Sequence, residues 1–112
     1  MADQIDYIEF PSGNRAVTSA FFQAAFGWGI TSYGPDYDGI NNAGIDGGID
    51  QAAEKVSSTM AVVRTDDLDA AARRVIAAGG LITRPQFDFP GGRRFHFREP
   101  GGNEMAVYIA TE

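Results

Sequence analysis

The chain contains no cysteine, and no apolar run in its 112 residues approaches the roughly 20 residues that a membrane-spanning helix needs. The lack of cysteine excludes disulfides, thiolate nucleophiles and cysteine-ligated zinc, and it is compatible with a reducing compartment. The N-terminal stretch "MADQIDYIEF" also lacks the basic segment and apolar core of an export signal. We therefore expect a cytoplasmic protein that has no membrane partner.

Basic residues are few: the chain has 9 Lys and Arg against 15 Asp and Glu, which gives a formal net charge of −6. Proteins that bind nucleic acid depend on a basic surface, so this balance argues against nucleic acid as a partner. A neutral or cationic small molecule fits the net charge better. The hydrophobic fraction of 44% is ordinary for a soluble globular protein. Because this length has room for one core, we expect a single domain over residues 1–112.

The two halves of the chain show the same order of predicted elements. Residues from about 3 to 52 predict a strand, a helix that begins after Asn14 and ends at Gly27, and three short strands. Residues from about 57 to 112 predict a strand, a helix that an aspartate caps and Gly79 ends, and three further strands. The sequence thus predicts an α+β fold of two tandem βαβββ modules.

A shift of 53 residues brings the two modules into register, because it places Tyr7 on Met60 and Asn14 on Asp67. A single helix covers only one face of a sheet, so the other face of each module must meet something else. Two curved mixed sheets that face each other would enclose a cleft suited to a small molecule. The facing sheet comes either from the same chain or from a two-fold-related copy, and we expect a homodimer.

Three stretches of the sequence carry a family resemblance. They are "IDYIEFPSGN" with "FFQAAFGW", then "VVRTDDLDAAARRVIAAGG", and finally "FREPGGNEMAVY". In their order and spacing they resemble the vicinal oxygen chelate superfamily, which includes glyoxalases, extradiol dioxygenases and bleomycin-resistance proteins. The resemblance covers nearly the whole chain and implies the paired βαβββ fold, whereas the function has to be argued from the site.

The resemblance also implies four positions for a divalent metal, on the first and last strands of each module. Three of these positions hold Tyr7, Met60 and Ala106, and the fourth is Asp46 or a neighbouring glycine. Phenol, thioether and methyl groups are poor ligands for such an ion, so we expect no metal cofactor. The alternative is one divalent ion held by a displaced set of ligands, namely Glu9, His96 and Glu104.

Strand alternation places further polar side chains on the predicted cleft faces. Glu9 and Glu104 would bind a cation, act as acid and base, or stay solvated at the rim. His96, the single histidine, would be a base, a ligand or a hydrogen-bonded strand residue. Tyr7 and Tyr108 would orient a ligand through their hydroxyls or pack as core aromatics. With no catalytic residue assigned, the predicted ligand-binding cleft consists of Tyr7, Glu9, Met60, Val62, His96, Glu104, Ala106 and Tyr108.

Two arginines follow the turn "PGG" at residues 90–92. Arg93 and Arg94 would hold a carboxylate or a phosphate at the mouth of the cleft. The simpler interpretation is a hairpin with solvated arginines beside its turn.

Three functions are compatible with these residues. The first is a metal-free relative of the bleomycin-resistance proteins that binds a small organic compound. The second is a metal-dependent lyase, isomerase or dioxygenase that acts on vicinal oxygens through the displaced ligands. The third is a non-catalytic interaction module whose cavity is filled by Met60, Val62 and Ala106. The residues at the implied metal positions favour the first, because methionine and tyrosine provide adaptable contact area.

Overall fold

The computed structural model describes residues 3–111, which form two compact units. One unit spans residues 7–60, and the other combines residues 3–6 with residues 61–111. Within the described residues the elements are β1 Gln4–Pro11, α1 Arg15–Phe26, β2 Gly29–Ser32, β3 Tyr37–Asn41, β4 Asp46–Asp50, β5 Met60–Arg64, α2 Leu68–Ala77, β6 Leu81–Phe89, β7 Gly92–Arg98 and β8 Glu104–Ala110. This order confirms the predicted α+β class and the repeated βαβββ module. Neither helix in residues 3–111 has the length and apolar character needed to cross a membrane.

In each module the first strand pairs with the last in parallel, while the other neighbours are antiparallel. The strand order is β2-β3-β4-β1 in the first module and β5-β8-β7-β6 in the second. Glu9 on β1 lies opposite Gly48 on β4, and Val62 on β5 lies opposite Ala106 on β8. Because side chains alternate along each strand, these pairs determine which side chains share a face of the sheet.

Each helix begins at a polar residue that caps its first turn. Asn14 and Asp67 each accept a hydrogen bond from the backbone N–H three residues further on, at 3.2 and 3.0 Å. Both residues have an extended backbone, as an N-cap requires. Gly27 ends α1 with φ 71°, and Gly79 follows α2 with φ 101°. Both caps and both glycine stops are therefore as the sequence predicted.

The first module holds α1 through an aromatic contact and a buried ion pair. Phe22 of α1 contacts Phe10 of β1, with ring centroids 5.2 Å apart. Asp38 of β3 is 3% exposed, accepts a hydrogen bond from Ser19 Oγ at 2.5 Å and pairs with Arg15. Because an unpaired buried carboxylate is costly, these two donors are what allows Asp38 to lie beneath the helix.

The second module packs α2 against β7 and β8. Its buried cluster consists of Leu68, Ala71, Phe95, Phe97 and Val107. Full burial of a side chain as large as leucine or phenylalanine contributes roughly 1.5–3 kcal/mol, so this cluster is a main source of stability for the module.

Residues 3–6, at the beginning of β1, are held within the second unit by side-chain hydrogen bonds. Asp3 accepts a hydrogen bond from Thr65 Oγ1 at 2.9 Å and pairs with Arg74. The Thr65 hydroxyl, together with the Arg74 guanidinium, lowers the pKa of Asp3. Tyr108 Oη donates a hydrogen bond to Asp6 Oδ2 at 2.8 Å. These contacts explain why the first residues of β1 group with the later half of the chain.

Removal of the α2 cap should destabilise the protein by a predictable amount. We expect D67A to lower the free energy of unfolding by about 1 kcal/mol, because it removes the acceptor for a first-turn N–H. The matched control is D66A, which removes an exposed neighbouring carboxylate that caps nothing and should change stability by less than about 0.5 kcal/mol. Urea denaturation measures both values, and equal losses in the two variants would contradict the capping role.

Candidate functional site

The sheet of the second module has one face beneath α2 and one face directed away from it. β7 places Phe95 and Phe97 in the core beneath α2, and β8 places Val107 there. Alternate residues of these strands therefore point to the opposite side. We call this side the helix-remote face; its side chains include Thr83, Arg84, Phe87, Arg94, His96, Glu104 and Tyr108.

His96 lies on the helix-remote face and is 3% exposed. Its Nδ1 is 3.9 Å from Glu104 Oε2, and Thr83 Oγ1 donates a hydrogen bond to the same carboxylate oxygen at 2.8 Å. The imidazole also makes an edge contact with Phe87, with centroids 5.6 Å apart. At 3.9 Å the imidazole and the carboxylate form an ion pair when His96 is protonated, not a direct hydrogen bond. The fold thus brings together two of the three residues that the sequence analysis named as a displaced ligand set.

Two arginines lie over an aromatic ring of the same face. Arg84 Cζ is 3.7 Å from the centroid of Phe87, and Arg94 Cζ is 5.3 Å from the same centroid. Such cation–π contacts hold a guanidinium in a fixed orientation against the ring. On the same face, burial and the hydrogen bond to Asp6 raise the pKa of Tyr108.

The first module contains a buried carboxylate beside two phenols. Glu9 is 2% exposed, and Tyr37 Oη donates a hydrogen bond to Glu9 Oε2 at 3.1 Å. The hydroxyls of Tyr7 and Tyr37 are also hydrogen-bonded to each other. Burial, followed by the charge of Glu9, raises the pKa of Tyr37. The three side chains form one hydrogen-bonded chain, which we call the tyrosine–glutamate cluster.

The tyrosine–glutamate cluster depends on a glycine. A Cβ atom added to Gly48 would overlap the hydroxyl of Tyr37 and would lie 2.5 Å from the hydroxyl of Tyr7. The phenols therefore occupy the space that any larger residue at position 48 would take. This is a close-approach role for the glycine-rich β4 strand, which the sequence indicates only weakly.

Strand register identifies the fourth implied metal position. In the second module Ala106 lies opposite Val62. The shift of 53 places Glu9 on Val62, and Glu9 lies opposite Gly48. Gly48 is therefore the counterpart of Ala106. Of the two alternatives for this position, the register selects the glycine rather than the exposed Asp46.

The four implied positions do not fit a divalent metal. The Tyr7 hydroxyl is engaged by Tyr37, and the Met60 thioether is 1% exposed. Gly48 and Ala106 have no side-chain donor at all. Divalent ions of this kind are held by imidazole, carboxylate or thiolate groups, which are missing from all four positions. Among residues 3–111, no group of three or more His, Cys, Asp or Glu side chains is arranged to hold a metal ion.

The side chains predicted for the cleft fall into both units. Three of them, Tyr7, Glu9 and Met60, belong to the first unit. Tyr7 and Glu9 are members of the tyrosine–glutamate cluster. The others belong to the second unit: Val62, His96, Glu104, Ala106 and Tyr108. That all eight line one cleft stays a prediction.

Sequence reasoning missed several polar and aromatic side chains of the site, namely Tyr37, Thr83, Arg84 and Phe87. The register of β6 is irregular between Ile82 and Arg84 and again between Arg84 and Phe87, so strict alternation fails along this strand. Pro85, inside the predicted strand, was the available signal, because proline within a sheet marks an edge or a bulge. For Tyr37 the sequence offers no comparable signal, since its role depends on the empty side-chain position of Gly48.

The chain matches a family model. The model of the Glyoxalase/Bleomycin resistance protein/Dioxygenase superfamily covers residues 4–107. The chain therefore belongs to this superfamily, which confirms the resemblance seen in the sequence. A search of curated protein sequences finds no match.

Solved structures agree on the fold. A superfamily member from Vibrio splendidus 12B01 has 15% identity and a TM-score of 0.71, over 92% of this chain and 96% of the other. Methylmalonyl-CoA epimerase from Mycobacterium tuberculosis has 13% identity and a TM-score of 0.72, over 96% and 88%. The Mn(II)-bound glyoxalase from Novosphingobium aromaticivorans has 18% identity and a TM-score of 0.69, over 95% of this chain but 38% of the other. Identities this low show the fold alone.

The raised pKa of Tyr37 predicts how stability changes at alkaline pH. In the unfolded chain the phenol ionises near its ordinary value of 10.0, whereas in the folded protein it stays protonated to higher pH. The unfolded state then binds fewer protons than the folded state, so stability is lost as the pH rises above about 10. We expect Y37F to lose less stability than the wild-type protein between about pH 9 and about pH 11, as measured by urea denaturation at each pH.

The matched control for this titration is Y33F, which removes a phenol that is 69% exposed. This variant should lose stability over the same pH range as the wild-type protein does. A Y37F variant with the same pH dependence as the wild-type protein would contradict the prediction.

Proposed function

We propose that the chain binds a small organic molecule on the sheet faces directed away from its helices, without a divalent metal at the superfamily's usual positions. The observation that carries this proposal is the tyrosine–glutamate cluster. There the Tyr7 hydroxyl is engaged by another phenol, and the two phenols fill the space beside Gly48 that a metal-ligating side chain would need. Hydrogen-bonding phenols and a buried carboxylate recognise polar groups of a ligand directly, so binding there needs no bridging ion.

The second module supports the same proposal. Its helix-remote face combines the hydrogen-bonding groups of Thr83, His96 and Glu104 with an aromatic ring and two guanidinium groups. Convergent polar groups beside an aromatic ring can fix the orientation of a small molecule. The Mycobacterium tuberculosis protein with this fold is named for a reaction of methylmalonyl-CoA, so the fold is compatible with an organic ligand.

A metal-dependent enzyme is the second candidate, and the proximity of His96 and Glu104 is the observation in its favour. It would be a lyase, isomerase or dioxygenase that acts through the displaced ligands named from the sequence. The third candidate is an interaction module with a filled interior. The burial of Met60, Val62 and Ala106 is compatible with this candidate as well. We propose a cytoplasmic location, because a chain without cysteine is compatible with a reducing compartment.

We further propose that the chain forms a homodimer through the outward face of α1. After Arg15 this helix, "AVTSAFFQAAF", contains no charged residue. Val17, Phe21 and Phe26 are nevertheless 63%, 59% and 60% exposed. The corresponding face of α2 instead exposes charged side chains, namely Asp69, Arg73 and Arg74. α2 exposes a single large apolar side chain, Ile76 at 59%, so an outward surface with several large apolar side chains is particular to α1.

The size of this surface suits a second copy of the chain. With about 200 Å² for a whole aromatic side chain, the large residues and the neighbouring alanines of α1 expose on the order of 500 Å². Two copies would then bury about 1,000 Å², which is the lower bound of a specific interface. Ala16, Ala20 and Ala24 recur every four residues, and such a row of small side chains allows two helices to pack closely.

Metal content and ligand response test the proposed function together. Protein purified without chelator should contain far less than one divalent ion per chain, as measured by plasma mass spectrometry. A panel of small organic compounds should include some that raise the melting temperature. A compound at 100 times its Kd that binds only the folded state adds about 2.7 kcal/mol of stability. About one tightly held ion per chain would overturn the metal-free proposal, and indifference to every compound would favour the filled interior.

Light scattering tests the dimer. The wild-type protein should have twice the mass of one 12.0 kDa chain, and F21E should have the mass of a monomer, because the variant buries a charge in an apolar interface. The matched control is I76E, which changes a 59% exposed residue of α2 and should remain dimeric. A monomeric wild-type protein, or a dimeric F21E, would exclude this interface.

A further inference from the structure

We propose that the ligand is an organic anion whose carboxylate binds the guanidinium of Arg84. This inference rests on the proposed function, because it names the class of compound that the helix-remote face takes. It concerns a residue that neither strand alternation nor the family resemblance nominated.

The position of Arg84 suits a carboxylate receptor. Arg84 lies in the irregular part of β6, opposite His96 on β7, and is half-buried with its Cζ 3.7 Å above the Phe87 ring. Among the side chains of residues 3–111, no Asp or Glu forms an ion pair with it. A guanidinium held against a ring presents its N–H groups in one plane, where they match the two oxygens of a carboxylate.

The charge of the helix-remote face points to the same class of ligand. By register and alternation, strands β5–β8 place four of the chain's nine basic residues on this face: Arg64, Arg84, Arg94 and Arg98. Two carboxylates oppose these four guanidinium groups. Glu104 accepts a hydrogen bond from Thr83 and lies beside His96, and Asp6 of β1 accepts a hydrogen bond from Tyr108. The face is therefore basic within a chain of net charge −6. A surface of one sign concentrates ligands of the opposite sign.

This local charge replaces the expectation of a neutral or cationic ligand. That expectation used the net charge, which sums all surfaces of the chain and does not report how arginines are distributed among them. Arg93 shows the contrast: its Nη1 pairs with Asp88 at 2.7 Å, and its Nε donates to Gln86 Oε1 at 3.0 Å. Arg93 is thus already engaged by neighbours in its own hairpin and serves as a matched control.

The test compares aromatic and aliphatic carboxylates, each with its uncharged amide, beginning with benzoate and benzamide. Binding is followed by NMR titration of the arginine Nε–Hε signals at constant ionic strength. We expect at least one carboxylate to bind about tenfold or more tightly than its amide and to shift the Arg84 signal. R84Q should weaken binding of that carboxylate by about 10- to 100-fold, whereas R93Q should leave it within about twofold.

The outcomes distinguish a failure of the Arg84 site from a failure of the proposed function. If no carboxylate binds better than its amide, or if R93Q weakens binding as much as R84Q does, the Arg84 site is excluded. If neutral compounds bind and carboxylates do not, the proposed function stands and this inference fails. If no compound binds at all, the proposed function fails as well. Should R84Q not fold, R84K serves instead, since it keeps the charge but loses the planar fork and should weaken binding by a smaller factor.

Discussion

The parallel pairing of the first and last strand in each module is the constraint on which the site depends. It sets Glu9 opposite Gly48 and Val62 opposite Ala106. A slip of one residue would turn every side chain of these strands to the other face, so the buried layers beneath the helices hold the register in place. Phe10, packed against Phe22 of α1, keeps Tyr7 and Glu9 on the side away from the helix. The hydrophobic packing beneath the helix therefore determines which polar side chains of β1 share the opposite face of the sheet.

Much of the fold could be predicted because local signals and long-range packing agree. Asn14 and Asp67 cap helices that the spacing of apolar residues also indicates, and β7 alternates strictly between core aromatics and polar residues. The site was less predictable. The bulged register around Pro85 hides the direction of the β6 side chains, and the position of Tyr37 depends on a missing side chain across the sheet. Such features arise from pairing between strands, which a single sequence does not record.

The two modules repeat the same backbone and differ in chemistry. In the first, a buried carboxylate is combined with phenols, whereas in the second a histidine and a carboxylate lie among arginines and aromatic rings. Duplication of a fold fixes the positions but leaves the residues free to diverge, which is why fold alone does not specify activity. The divergence extends to the helices, since α1 is apolar on its outward side and α2 is charged there. The two halves therefore differ in the chemistry of both their sheet faces and their helices.

The bonds made by Asp3 and Asp6 have a consequence for biosynthesis. Their partners Thr65, Arg74 and Tyr108 follow 62, 71 and 102 positions later in the chain. Contacts of such long sequence separation form slowly, because a large loop must close before they stabilise anything. During translation Asp3 and Asp6 leave the ribosome long before Tyr108 does. The contacts of Asp3 and Asp6 therefore form only after α2 and β8 have been synthesised.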